Sequence, residues 1–285
     1  MSHKPLATVR TISALRAQVA AWRAAGERVA LIPTMGALHA GHLSLVTLGR
    51  ERADRTVASI FVNPTQFAPH EDFEAYPREE AKDAERLAEA GCDLLFAPSV
   101  EEMYAPGFST TITVTGVSGP LDGQARPHHF AGVATVVAKL LIQCGPDVAV
   151  FGQKDYQQLQ VIRRLATDLD LPVEIIGGST IRADDGLALS SRNAYLSPAE
   201  RAIAGKLNVI LKDAIEQLRA GRPVDAVEAE GLKALAAAGF DPIDYLEVRD
   251  PNDLSRLGPG PLGVPGRILV AAKIGRTRLI DNMAV

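Results

Sequence analysis

The sequence predicts an α/β protein, a doubly wound parallel sheet followed by a smaller C-terminal α+β domain. Three observations predict it. Short apolar runs at residues 29–32, 56–62 and 148–151 are each followed by a helical pattern, the alternation that builds parallel sheets covered by helices. Each run ends in a cluster of Gly, Pro, Asn, Gln or Lys, at the strand ends where such sheets gather ligands. At 285 residues, with 47% hydrophobic and 22% charged residues, the chain has ordinary globular composition and suggests about two domains.

Taken in order, Thr11 or Ser13 can cap a first helix that buries Leu15, Val19 and Trp22 and stops at Gly26. Residues 29–32 form a buried strand broken by Pro33 and Gly36, and a helix begins near His39 and runs to about Arg52. The strand at 56–62 ends in Asn63-Pro64-Thr65-Gln66-Phe67. A charged helix over about 78–90 precedes a short strand at 93–96. Residues 110–115 (TTITVT) are strongly β-prone. A loop over 119–129 leads into an apolar helix at 133–142. The strand at 148–151 delivers Gly152-Gln153-Lys154-Asp155 to a helix over about 156–169, and 173–176 is the last strand of the main sheet. Composition shifts at Gly177-Gly178 and Asp184-Asp185-Gly186, which divides the chain into domains of residues 1–181 and 182–285. In the second, Ser197-Pro198 with Glu200 makes a capping box. A further helix covers about 224–238, and strand-like segments at 243–248 and 267–274 flank a Gly- and Pro-rich loop at 258–266.

The formal net charge of −4 gives no general attraction to nucleic acid or an anionic membrane. Two cysteines without a motif point to a reducing compartment. No apolar signal region opens the chain and no run reaches the length of a membrane span, so a cytoplasmic protein is expected. There is no Gly-x-x-x-x-Gly-Lys-Ser/Thr loop, nor a G-x-G-x-x-G after a strand, which removes the usual nucleotide fingerprints.

Four constellations carry chemistry. In Leu31-Ile32-Pro33-Thr34-Met35-Gly36-Ala37-Leu38-His39-Ala40-Gly41-His42, the two histidines are spaced i, i+3, about 5–6 Å apart on one helix face. Placed at a helix N-terminus, they are donors aimed at an anion, and Gly41 leaves room for a ligand. Zinc is the alternative, but neither Cys92 nor Cys144 has a metal-ligand spacing and no His-Glu-x-x-His occurs. Lys154 sits where a strand meets a helix, so its ammonium faces the same place; Asp155 is either a helix cap or part of the site, and Gln157 and Gln158 are either functional or solvated. Ser190, Ser191 and Arg192 offer hydroxyls and a guanidinium for phosphate oxygens. Gln66 offers an amide to hydroxyls and a carboxylate, or else braces its own loop.

His39-Ala40-Gly41-His42 resembles the HxGH signature of the nucleotidyltransferase and class I synthetase superfamily, and Leu189-Ser190-Ser191-Arg192 resembles its second, KMSKS-like loop. Within that superfamily the chain is similar, over nearly its whole length, to the pantothenate synthetase (pantoate–β-alanine ligase) family. The similarity is carried by residues 33–42, Phe61-Val-Asn-Pro-Thr-Gln-Phe, Tyr76-Pro-Arg, Arg126-Pro-His-His-Phe-Ala-Gly-Val, Phe151-Gly-Gln-Lys-Asp-Tyr-Gln-Gln-Leu and residues 189–193. Gln153 departs from the family, which more often has Glu there.

The resemblance implies a Rossmann-like fold of the HxGH type and a two-step reaction. Pantoate and ATP give pantoyl adenylate and diphosphate; β-alanine then displaces AMP to give pantothenate. It implies ATP contacts along Met35, Gly36, Ala37, Leu38, His39, Ala40, Gly41 and His42, at Gly152, Gln153, Lys154 and Asp155, at Ile181, and at Leu189, Ser190, Ser191 and Arg192. His42 would be the catalytic histidine, a proton donor in the family. Gln66 and Gln158 would hold pantoate, and Gln66 would also meet β-alanine. Mg²⁺ and a homodimer through the larger domain are implied too.

Attack of a carboxylate on the α-phosphorus brings two anions together, so His39, His42, Lys154 and Arg192, with Mg²⁺, are expected to neutralise the developing charge. The small domain, hinged near 181–186, is expected to act as a lid that excludes water from the adenylate. Metal ligands are not assigned: Asp83 and Asp155 are candidates, but carboxylates on a charged helix are usually solvated. The TTITVT run is a candidate edge for a partner. Three rivals differ in their needs. A nucleotidyltransferase that keeps AMP on its product usually carries Ser-Ser-Thr in the second loop, an aminoacyl-tRNA synthetase needs a tRNA-binding domain, and a nucleotide sensor has no use for both imidazoles.

Overall fold

Thr11, rather than Ser13, caps the first helix, accepting from the Ala14 N–H at 3.2 Å. From there the computed structural model, which describes residues 5–68, 71 and 73–285, follows the alternating pattern. The elements are β1 (Thr8–Val9), α1 (Ile12–Ala24), β2 (Val29–Thr34), α2 (Ala40–Arg50), β3 (Arg55–Ile60), a 3₁₀ turn (Pro64–Gln66), α3 (Glu80–Glu89), β4 (Leu94–Phe96) and α4 (Val100–Met103). They continue with α5 (Asp122–Ala125), α6 (His129–Cys144), β5 (Val148–Gly152), a 3₁₀ turn (Gln153–Asp155), α7 (Tyr156–Asp168) and β6 (Glu174–Gly178). A 3₁₀ turn (Ser191–Tyr195), α8 (Pro198–Ala204), α9 (Lys206–Arg219), α10 (Val224–Ala238), β7 (Ile243–Arg249), β8 (Arg267–Ile274) and β9 (Thr277–Ala284) complete the chain. Residues 1–4, part of the stretch read for a signal region, lie outside the described residues. Among those described, no helix is long and apolar enough to cross a membrane.

The first six strands form one parallel sheet in the order β1-β4-β3-β2-β5-β6. Successive side chains of a strand face opposite layers, and both faces of this sheet are covered. Leu31 and Val57 point toward α1, α6 and α7, against Leu15, Val133, Leu141 and Leu159. Ala30, Ile32 and Ala58 point the other way, toward Leu45 and Val46 of α2 and Leu87 of α3. The chain leaves β2 toward β3 and β4, then crosses back to β5 and β6. The strand order therefore reverses between β2 and β5, and a doubly wound sheet opens a crevice at the carboxyl ends of such a pair. The second sheet, β7-β8-β9, is antiparallel. It packs on α9 and α10 around Leu211, Leu218, Val227, Val248 and Val270.

The structure departs from the sequence reading in several places. TTITVT is not a strand: Val114 is buried and Ile112 half-buried while the threonines beside them are exposed. The alternation is real, but the segment lies on α6, where the Ile112 N–H donates to Thr135 Oγ1 at 2.9 Å, and it offers no strand edge. Gly177 and Gly178 are inside β6, paired with Phe151 and Gly152. Neither β1 nor β9 is apparent in the sequence. β1 has two residues, too few for a period, and β9 buries Asp281 and Asn282 consecutively, which hides its alternation.

Candidate active site

The crevice begins where β2 ends. Thr34 Oγ1 donates to Ser59 O at 2.7 Å and accepts from the Gly36 N–H at 3.2 Å. The next two residues have positive φ, Gly36 at 85° and Ala37 at 51°, a conformation that L-residues adopt at a cost. A carboxylate holds it: Asp83 of α3, fully buried, accepts from the N–H groups of Ala37 and Leu38, each at 2.8 Å. Arg86, one turn along α3, donates to Leu38 O. Asp83 is thus neither solvated nor available to a metal; its oxygens are committed to the turn that launches His39.

His39 is the N-cap of α2. Its Nδ1 accepts from the Gly41 N–H at 3.1 Å, and His42 Nδ1 accepts from the His39 N–H at 3.3 Å. The histidines thereby satisfy two backbone donors at the helix start, the N–H groups of His39 and Gly41, with ring centroids 4.1 Å apart. A Cβ on Gly41 would lie 2.9 Å from the His39 ring, so the glycine makes room first for that ring. Because each Nδ1 is an acceptor, the proton of each neutral imidazole is on Nε2. Burial lowers both pKa values, His39 to about 4 with help from the Lys154 charge, and His42 to about 3 with help from His39 and Lys154. At neutral pH both are uncharged Nε2–H donors.

Three further segments converge on the pair and enclose a cleft of about 580 Å³. From β5 come Gly152, Lys154 and Asp155, with the Lys154 ammonium 3.6 Å from Asp155 Oδ1. Asp155 makes no cap bond to α7. Gln158 lines the cleft. Gln157 does so from a buried position where its amide is fully engaged, accepting from Asp122 N at 3.0 Å and donating to Val117 O and Pro120 O at 3.0 and 2.7 Å. It is a brace for the loop before α6, not a solvated residue.

From β3 comes Gln66. Buried Asn63 donates to Gln66 Oε1 at 3.1 Å and to Gly132 O at 3.2 Å, and Gln66 Nε2 lies 3.2 Å from Met35 Sδ. The Gln66 carbonyl accepts from His129 Nδ1 at 3.0 Å and Arg126 Nη2 at 3.4 Å. Arg126 is itself paired with Glu71 through two contacts of 2.6 Å. The loop of Gln66 is thus braced from several sides, and the residue itself lines the cleft.

The last segment is 181–195. Leu189 N donates to Ile181 O at 2.9 Å, so Ile181, Leu189, Ser190, Ser191 and Arg192 arrive together. Ser191 Oγ is 3.2 Å from Tyr76 OH, and Tyr195 OH donates to Ala75 O at 3.3 Å, so this loop meets residues 75–76 across the cleft.

Of the residues expected at the site, Met35, His39, Gly41, His42, Gln66, Gly152, Lys154, Asp155, Gln158, Ile181, Leu189, Ser190, Ser191 and Arg192 line one space. Gly36, Ala37, Leu38, Ala40 and Gln153 do not. Leu38 is 2% exposed and belongs to the core below α2, Gly36 and Ala37 face Asp83, and Gln153 Nε2 donates to Gly177 O at 3.3 Å. Asp83, Tyr76, Arg126 and His129 carry structural tasks that the sequence reading did not assign. For Asp83 a signal existed: it stands four residues before Leu87, on the helix face that enters the core.

The pantoate–beta-alanine ligase family model matches residues 7–284. The pantothenate synthetase of Caulobacter vibrioides is 65% identical over 278 residues, spanning 97% of this chain and 98% of that protein. That of Rhodospirillum rubrum is 58% identical over 99% of this chain and 100% of its own length. Among solved structures, pantothenate synthetase from Thermus thermophilus superposes with a TM-score of 0.90 at 46% identity, covering 98% of this chain and 99% of that one. Pantoate–beta-alanine ligase from Francisella tularensis, solved in complex with beta-gamma ATP and beta-alanine, gives 0.81 at 32% identity over 98% and 97%.

Proposed function

The chain belongs to the pantoate–beta-alanine ligase family, and we propose that its cleft joins pantoate to β-alanine through a pantoyl adenylate. In the first step a pantoate carboxylate oxygen attacks the α-phosphorus of ATP, and the bond to the β-phosphate oxygen breaks, releasing diphosphate. In the second the β-alanine amine attacks the acyl carbon, loses a proton and expels AMP. The observation that carries this reading is the meeting, at the reversal between β2 and β5, of two imidazoles, one lysine and the Ser190-Ser191-Arg192 loop on one side with two cleft-lining amides, Gln66 and Gln158, beside them.

The first step moves no proton, so what it needs is stabilisation of charge on the phosphoryl oxygens. His39 and His42 supply neutral Nε2–H donors at the start of α2, whose dipole points the same way. Lys154 and Arg192 supply positive charge, and Ser190 and Ser191 supply hydroxyls. Gln66 and Gln158 orient pantoate, whose hydroxyls and carboxylate need donors and acceptors together. Among the described residues no group of three or more His, Cys, Asp or Glu could cage a metal. Mg²⁺ is nonetheless compatible with this site, because it commonly arrives on phosphates with one or two carboxylates and retained waters. Asp155, with a side chain 46% exposed at the cleft, is the carboxylate placed to meet it. The ion would lend charge neutralisation to the phosphates.

Residues 182–285 act as the second unit and close the cleft, and the closing piece is the 189–195 loop that meets Tyr76. A cytoplasmic setting accords with two buried free cysteines. A homodimer rests on family resemblance alone, since TTITVT provides no edge. Diphosphate release from MgATP and pantoate, with and without β-alanine, tests the whole reading. Pantoate-dependent release that becomes catalytic with β-alanine, yielding AMP and pantothenate, is the expected result. Retention of the adenylyl group in the product would place the chain with the nucleotidyltransferases instead.

A further inference from the structure

Lys154 stands on a turn with no cap of its own. Gly152 has no side chain, and Asp155 makes no cap bond to α7. The turn carbonyls are held instead from the other sheet. Asn282 of β9, 4% exposed, donates one amide hydrogen to Gln153 O at 3.0 Å and the other to Lys154 O at 2.8 Å. Its Oδ1 accepts from Arg267 Nη1 at 2.5 Å, and the Arg267 guanidinium lies 3.8 Å over the ring of Tyr156, the first residue of α7. The preceding residue, Asp281, accepts from Arg182 at 2.7 and 2.9 Å, next to Ile181. Two adjacent residues of β9 thus grip both segments that bring cations to the cleft.

A buried amide is costly unless its hydrogen bonds are made, and an aliphatic residue would fill this place as well if packing were the only need. We propose that Asn282 is a positioning residue for Lys154, so that docking of the C-terminal sheet assembles the phosphate side of the cleft. The proposal rests on the reading of Lys154 as a phosphate ligand. It also bears on the lid: the C-terminal unit cannot swing away as a body without releasing the Lys154 turn.

The test compares Asn282→Ala, Lys154→Met and the double variant with the intact protein. Amide hydrogen exchange over 152–156 is read together with the dissociation constant of a non-hydrolysable ATP analogue. Asn282→Asp, which keeps the shape but presents oxygen to two carbonyls, is the second variant should Asn282→Ala fold poorly. We expect faster exchange in both Asn282 variants and about tenfold weaker analogue binding, the scale of one or two lost hydrogen bonds. Pantoate binding should stay within twofold. In the Lys154→Met background, loss of Asn282 should cost less than about twofold more, because the two act as one unit. Unchanged exchange, or equal and additive losses in the two backgrounds, overturns the positioning role. Full analogue affinity in Lys154→Met alone would fault the reading of Lys154 and leave the exchange result to judge the clamp.

Discussion

A histidine whose Nδ1 already accepts a backbone N–H has one group left for a ligand, the Nε2 proton. His39 and His42 are both in this state, and with pKa values of about 4 and 3 they act as fixed dipoles rather than as cations. Both Nδ1 atoms are engaged by backbone N–H groups, so under the proposed function the two Nε2–H groups would serve the phosphates by hydrogen-bond donation during adenylation. Removing one preorganised donor costs about 10²–10³ in rate, roughly 3–4 kcal/mol. We expect His42→Ala to slow single-turnover diphosphate release by that factor, with pantoate binding little changed. Asp83 governs the same pair from behind. In Asp83→Ala the Ala37 and Leu38 N–H groups become buried and unpaired, at about 1–3 kcal/mol each, and the positive-φ turn loses its brace. A melting temperature lowered by several degrees, accompanied by slower adenylation, is the expected pair of readouts. Wild-type turnover in a folded Asp83→Ala protein would remove Asp83 from the support of the histidines.

Elements differ in how openly the sequence declares them. Strands β2, β3 and β5 are apolar runs buried on both faces, and α2 and α7 follow turn residues, so the frame of the cleft could be read from patterning alone. β9 could not, because Asp281 and Asn282 occupy consecutive buried positions and their partners, Arg182 and the Lys154 turn, are more than ninety residues away. TTITVT failed in the opposite sense: local alternation was correct, but the surface it covers is a helix. The placement of Gln66 depends on such an approach between elements. α6 passes so close to the Pro64–Gln66 turn that a Cβ on Gly132 would lie 2.4 Å from Thr65 O and 2.7 Å from Gln66 Cα, both backbone atoms that must move together. Alanine in place of a helical glycine should favour the helix by about 1 kcal/mol, yet here it displaces the turn. We expect Gly132→Ala to raise the pantoate KM at least tenfold while the affinity for an ATP analogue stays near that of the wild type. Parallel losses for both ligands would mean that the substitution disturbs the sheet rather than the turn.

At the scale of the molecule, the two sheets are fastened by more than the β9 clamp. Arg278 of β9 and Tyr245 of β7 reach the buried Asp122 of the first unit at 2.6 and 2.8 Å, Tyr156 OH donates to Pro251 O at 2.8 Å, and Leu254 and Leu269 join the core of the parallel sheet. Burial alone would raise the Asp122 carboxyl, but Arg278 and Tyr245 hold it below the usual range, so its contribution to stability is lost only as pH falls through the carboxylate region. The histidines respond earlier. His39, His42 and His129 have folded pKa values of about 4, 3 and 4, burial being the main cause in each, against about 6.5 in the unfolded chain. The unfolded state therefore takes up protons first: stability is complete above pH 6.5 and declines as pH falls toward 4, on the order of 1 kcal/mol per pH unit for each histidine. Thermal unfolding followed between pH 7 and 5 should show a falling melting temperature, in a window where the lowered carboxyl groups do not yet titrate. His129→Asn, which keeps a donor for the Gln66 carbonyl but cannot ionise, should flatten that decline. A melting temperature independent of pH across this window would mean that the three imidazoles are more accessible to protons than their packing allows, and the picture of neutral imidazole donors would fail with it.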